Sequence, residues 1–128
     1  MTVDTKRILV VEDEPVLANA VVEVMRVSFD AYVDLAASGE AADNLCRDNE
    51  YDLVVLDWTI PPPSGISLLR AWRQANEVFP VLILSGHDEV EVKAASSEYG
   101  ADAYLTKPFS LADLREQARA LLNPNTVS

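Results

Sequence analysis

Leu53-Val54-Val55-Leu56 is an unbroken apolar run that stops on a carboxylate, Asp57, with Pro61 and Gly65 following at intervals of four. A strand that is apolar at every position, rather than at alternate ones, has helices covering both of its faces. Two further runs have the same character. Ile8-Leu9-Val10-Val11 lies upstream, and Val81-Leu82-Ile83-Leu84, introduced by Pro80, lies downstream. Weaker strands are read over Ala31 to Leu35 and Ala103 to Leu105.

Segments of helical period separate the runs. Glu14-Pro15 opens the first, where proline fits an initial turn and an acidic group suits the positive end of the dipole; Leu17, Val21, Val24 and Met25 form its inner face. Ser38 is placed to cap a second helix that turns Ala41, Ala42, Leu45 and Cys46 inward. A third starts near Gly65 with Ile66, Leu69 and Trp72, and a fourth spans roughly Asp88 to Tyr99, stopped by Gly100. Ser110 caps the last, whose inner face is Leu111, Leu114, Ala118, Leu121 and Leu122, and Asn123-Pro124 ends it. Strict alternation of five strands and five helices predicts an α/β fold with a doubly wound parallel sheet. Ligands of such sheets bind beyond the carboxyl ends of the strands.

The chain has 128 residues, 49% of them apolar, which suits one domain over 1–122 and a short tail over 123–128. A formal net charge of -11 argues against polyanionic partners, so neither direct nucleic-acid binding nor an anionic membrane surface is expected. The lone Cys46 rules out an internal disulfide, and the lone His87 argues against a zinc site of the usual kind. No apolar run approaches the roughly 18 to 20 residues of a membrane span. A cytoplasmic protein is the expectation.

The chemistry sits where the strands end. Strand one runs into Glu12-Asp13-Glu14, strand three into Asp57, strand four into Ser85, and strand five into Thr106-Lys107-Pro108. Carboxylates converging from two strands repel one another unless a cation intervenes, and an all-oxygen set completed by water is what magnesium prefers. Glu14 reads as a helix N-terminus instead. A carboxylate beside magnesium, an ammonium and a hydroxyl is arranged to accept a phosphoryl group, with Asp57 as nucleophile.

These residues resemble the receiver domains of two-component response regulators over most of the chain, from Lys6 to about Leu122. The likeness rests on Ile8-Leu9-Val10-Val11-Glu12-Asp13-Glu14-Pro15, on Asp57 with Pro61 and Gly65, on Ser85-Gly86, and on Tyr104-Leu105-Thr106-Lys107-Pro108-Phe109. The resemblance implies a flavodoxin-like sheet of order 2-1-3-4-5 and a switch, not a turnover enzyme. It implies that Asp57 is the phosphoacceptor. Asp13 is then a direct magnesium ligand, Glu12 one acting largely through water, and the backbone carbonyl of Thr59 the remaining protein ligand. Lys107 and Ser85 would contact the phosphoryl group, with a cis bond at Pro108, and Ser85 with Tyr104 would form the switch pair that alters the face made by helix four, strand five and helix five.

Implied partners are a sensor histidine kinase or phosphotransfer protein and a downstream effector protein or linked output domain, with the chain a monomer or a phosphorylation-dependent dimer. Thr59 and His87 would border the path of an attacking water and tune the lifetime of the acyl phosphate. Arg115 and Arg119, with Asp102 and Glu98, resemble the charged dimer face of receivers joined to winged-helix domains, although Ala103 replaces the acidic residue usual there. The rival from another class is a haloacid dehalogenase-like phosphatase, which also uses an aspartyl nucleophile with magnesium. It wants a second Asp where Thr59 stands, and a nucleophile after the first strand. A flavin or nucleotide carrier lacks its glycine-rich loop here.

Overall fold

The computed structural model describes residues 5–86, 93 and 97–123. Five parallel strands, β1 (Arg7–Val11), β2 (Tyr32–Ala36), β3 (Leu53–Asp57), β4 (Val81–Ser85) and β5 (Ala103–Thr106), form one sheet in the order β2-β1-β3-β4-β5. Four helices have defined bounds: α1 (Pro15–Phe29), α2 (Gly39–Asp48), α3 (Gly65–Gln74) and, after β5, α5 (Leu111–Leu122). Positions 93 and 97–99 between β4 and β5 are also helical and constitute α4. The rest of the expected fourth helix, His87 and the tail beyond Asn123 lie outside the described residues.

Side-chain alternation divides the core in two. Ile8 and Val10 of β1, Leu53 and Val55 of β3, and Leu82 and Leu84 of β4 pack with Val21, Met25, Leu114, Ala118 and Leu122 of α1 and α5. Leu9, Val11, Val54, Leu56, Val81 and Ile83 point the other way, onto Ala42 of α2 and Leu68, Leu69 and Trp72 of α3. Two buried faces require the continuous apolar runs seen in the sequence.

The helices begin as capping chemistry dictates. Glu14 accepts hydrogen bonds from the N–H groups of Val16 and Leu17, and Ser38 and Ser110 accept from Ala41 and Asp113. Ser64, which the sequence reading passed over, caps α3 through Ser67.

Some expectations need correction. The second strand runs one residue later than Ala31–Leu35, because pairing starts where the Tyr32 N–H donates to the Lys6 carbonyl, and Ala36 lies beside Val11. Leu111 is 47% exposed, not on the inner face, since it opens α5 ahead of the turn that Leu114 buries. Trp72 is core, in keeping with its helical spacing from Leu69, and lies edge-on to Phe79 with ring centroids 5.2 Å apart.

Arg73, at the end of α3, joins distant segments. Its guanidinium donates to the carbonyls of Gly100, Glu77 and Phe79 and to the Asp102 carboxylate, which also accepts the Val81 N–H. The starts of β4 and β5 are thus tied to one side chain. The Lys107–Pro108 bond is cis, as the resemblance implied, and so is Pro62–Pro63. Among the described residues no helix is long and apolar enough to cross a membrane.

Candidate functional site

Strand register makes the carboxyl edge of the sheet level. Val11 lies beside Leu56, Asp57 beside Leu84, and Ser85 beside Thr106, so the residues that follow β1, β3, β4 and β5 share one rim. Asp57 is the last residue of a strand buried at every position. Its neighbours fix it further: the Trp58 N–H donates to the Leu84 carbonyl at 2.8 Å, and the Lys107 N–H donates to the Ser85 carbonyl at 2.6 Å.

The side chains meet as the sequence foretold. Oxygens of Glu12, Asp13 and Asp57 lie within 4.8 Å of one another. Glu12 and Asp57 are each 2% exposed, whereas Asp13 opens to solvent. The Lys107 ammonium reaches into the group, 2.7 Å from Asp57 Oδ2 and 3.7 Å from Glu12 Oε1. Glu14 is not part of it. Its carboxylate turns away to cap α1, while its N–H donates to Glu12 Oε2.

The electrostatics show the strain of gathering carboxylates. Burial, reinforced by the neighbouring Asp57 carboxylate, pushes the Glu12 carboxyl up to about 8, against the opposing pull of the Glu14 N–H and Lys107. Burial disfavours the Lys107 ammonium too, but the hydrogen bond and charge of Asp57, followed by the charge of Glu12, outweigh it and raise its pKa. One ammonium among three carboxylates leaves the site short of positive charge.

Glu12 Oε1 is buried without a hydrogen-bond partner, and a buried acceptor left in that state is costly. Hard oxygen donors, an unpartnered buried oxygen and one solvent-facing carboxylate together fit a magnesium ion.

Ser85 is fully buried at the end of β4. Tyr104 lies beside Ile83, one pleat back from Ser85, and its half-buried ring packs against the cluster beneath α2 and α3. Thr59 is exposed, and its N–H donates to Asp57 Oδ1 at 2.8 Å. Sequence reading had not foreseen that donor, although an Asp two residues before a turn N–H is the pattern of an Asx turn. It had also not foreseen how closely α3 approaches: a Cβ on Gly65 would lie 2.5 Å from the Asp57 carbonyl oxygen.

Arg119 pairs with Glu116 and lies over the Phe29 ring, while Asp102 is engaged by Arg73.

Comparison with known proteins points one way. A sequence model described as the response regulator receiver domain matches residues 8–119. The transcriptional regulatory protein PmrA of Pectobacterium parmentieri is 38% identical over 120 residues, covering 93% of this chain and 53% of that protein. The response regulator MprA of a Mycobacterium species (strain KMS) is 41% identical over 119 residues, covering 91% and 50%. The chain thus spans about half the length of the curated relatives it matches. Among solved structures, the receiver domain of the Francisella response regulator 1452 superposes with a TM-score of 0.87 at 34% identity, covering 95% of this chain and all of that one. Nothing in these comparisons supports the haloacid dehalogenase-like phosphatase.

Proposed function

The chain belongs to the response regulator receiver domain family of two-component systems, and from that premise we propose that Asp57 takes a phosphoryl group from the phosphohistidine of a sensor histidine kinase or phosphotransfer protein. The observation that carries this reading is a carboxylate 2% exposed, in direct contact with Lys107, beside a buried Glu12 oxygen that has no hydrogen-bond partner. In the transfer a P–O bond to Asp57 forms as the P–N bond breaks, and the departing imidazole takes a proton from solvent.

Glu12, Asp13, Asp57 and the Thr59 carbonyl would hold magnesium, which when bound neutralises phosphoryl oxygens during transfer. Lys107 holds the carboxylate in place beforehand and meets a phosphoryl oxygen afterwards. The Ser85 hydroxyl is drawn toward the new group, which adds roughly -1.5 to -2 charge. Space vacated there lets Tyr104 turn inward and reshape the face made by α4, β5 and α5. Thr59 and His87 are the residues read from the sequence as setting the lifetime of the acyl phosphate.

The domain is then a switch that assists its own phosphorylation and dephosphorylation. It works in the cytoplasm through contact with an effector protein or a linked output domain, as a monomer or as a dimer formed on phosphorylation, without touching nucleic acid itself.

Incubation with acetyl phosphate and magnesium, read by intact mass, tests the centre of this reading. One added phosphoryl group is expected on the wild type, and none after EDTA treatment or in a folded Asp57→Asn variant. A wild type that stays unmodified overturns it.

A further inference from the structure

Gly39 is the first residue of α2 and is buried. Its N–H donates to the Pro61 carbonyl at 3.1 Å. There is no room for a side chain at this position: a Cβ would lie 1.9 Å from the Pro63 carbonyl oxygen and 2.9 Å from both the Pro63 carbonyl carbon and its Cδ. Those atoms belong to the backbone or to a ring closed on it, so no side-chain rotation relieves the overlap. Either the loop or the helix has to move.

The loop in question carries Thr59. Its near end is fixed by the Trp58 N–H on Leu84 and the Thr59 N–H on Asp57, and Ile60 is buried in the core beneath α2 and α3. Gly39 supplies the far anchor, with the Thr59 carbonyl between the two.

We propose that Gly39 is a positioning residue for the cation site: by seating residues 61–63 on the first turn of α2, it sets the place of the Thr59 carbonyl. This rests on the reading of that carbonyl as a metal ligand. Groups that orient ligands without touching the metal typically govern about 10- to 100-fold of affinity.

The test is a magnesium titration of the whole chain, followed by tryptophan emission and calorimetry, with stability measured alongside in urea. Gly39→Ala is expected to bind magnesium about tenfold more weakly or worse. Leu122→Ala, buried on the opposite face of the sheet, is destabilised yet should keep the wild-type affinity, which separates positioning from general loosening. Should Gly39→Ala not fold, Pro63→Gly frees the same loop with the glycine intact and should weaken binding likewise.

Wild-type affinity in Gly39→Ala, or in Pro63→Gly where only that variant folds, overturns the inference alone. Loss of affinity in Leu122→Ala equal to that in Gly39→Ala overturns it too. A wild type that binds no magnesium, or an Asp13→Asn variant that binds it normally, brings down the metal-site reading and the inference together.

Discussion

β4 and β5 are hydrogen-bonded along one ladder, yet they live in different surroundings. Every residue of β4 is buried, whereas every residue of β5 is half-buried. Beside β5 runs a groove of about 560 Å³ lined in part by Lys93, Ser97, Asp102, Tyr104 and Gln117. The carboxylates end or follow strands that are buried almost throughout, and the proposed response is assigned to a strand that is only half-buried. Local opening costs least where few apolar groups are buried. On that reading the rim is expected to open less readily than the face at β5.

That contrast is open to attack by mutation. Ile83→Ala, in the centre of β4, is expected to cost about 2–5 kcal/mol in urea unfolding; a much smaller loss would show that the centre repacks freely. Arg73→Ala removes the side chain that ties the starts of β4 and β5, and about 2 kcal/mol is expected. Its signature is uneven: amide exchange should quicken at residues 102–106 far more than at 54–56. Uniform quickening would deny Arg73 its special hold on the edge.

Leu105→Ala should cost only about 1 kcal/mol, because a half-buried leucine forfeits only part of its transfer energy. Equality with Ile83→Ala would erase the contrast. The smallest effect at neutral pH concerns Cys46, whose thiol is pushed up to about 12 by burial, with Asp43 and Glu77 adding to it. A folded pKa above the unfolded one means the contribution is whole below pH 9 and is lost as pH climbs from about 9 toward 12. Cys46→Ala should therefore leave stability at pH 7 to 8 nearly level with pH, as in the wild type, and flatten only the alkaline decline.

The central strands were legible because burial on both faces leaves an unmistakable run, as at Leu53–Leu56. The edges were less so. Tyr32 and Leu35 are exposed on β2, so that strand has no apolar run to fix its limits, and its position slipped by one residue. Asp57, Glu12, Asp13 and Lys107 were readable since each ends or follows a strand, and topology carries these strand ends to one rim. What stayed hidden were contacts decided by proximity alone. Nothing near Arg73 in sequence announces Gly100 and Asp102, and nothing near Gly39 announces Pro61 and Pro63. Small residues and long cations act through neighbours that only folding supplies, whereas capping serines and apolar runs act through neighbours in the chain.

Lys107 follows Asp57 by 50 positions, and that separation acquires a meaning on the ribosome. Domains fold as units while the chain is delivered from its N-terminus at about 5–20 residues per second. A nascent chain that has just passed β4 already contains Glu12, Asp13 and Asp57, but not yet Lys107, which contacts Asp57 and Glu12 in the folded chain. Because the domain folds as a unit, the rim is assembled only once β5 and Lys107 have been delivered. A truncated product ending before Lys107 would possess the acceptor residue without the ammonium that holds it in place.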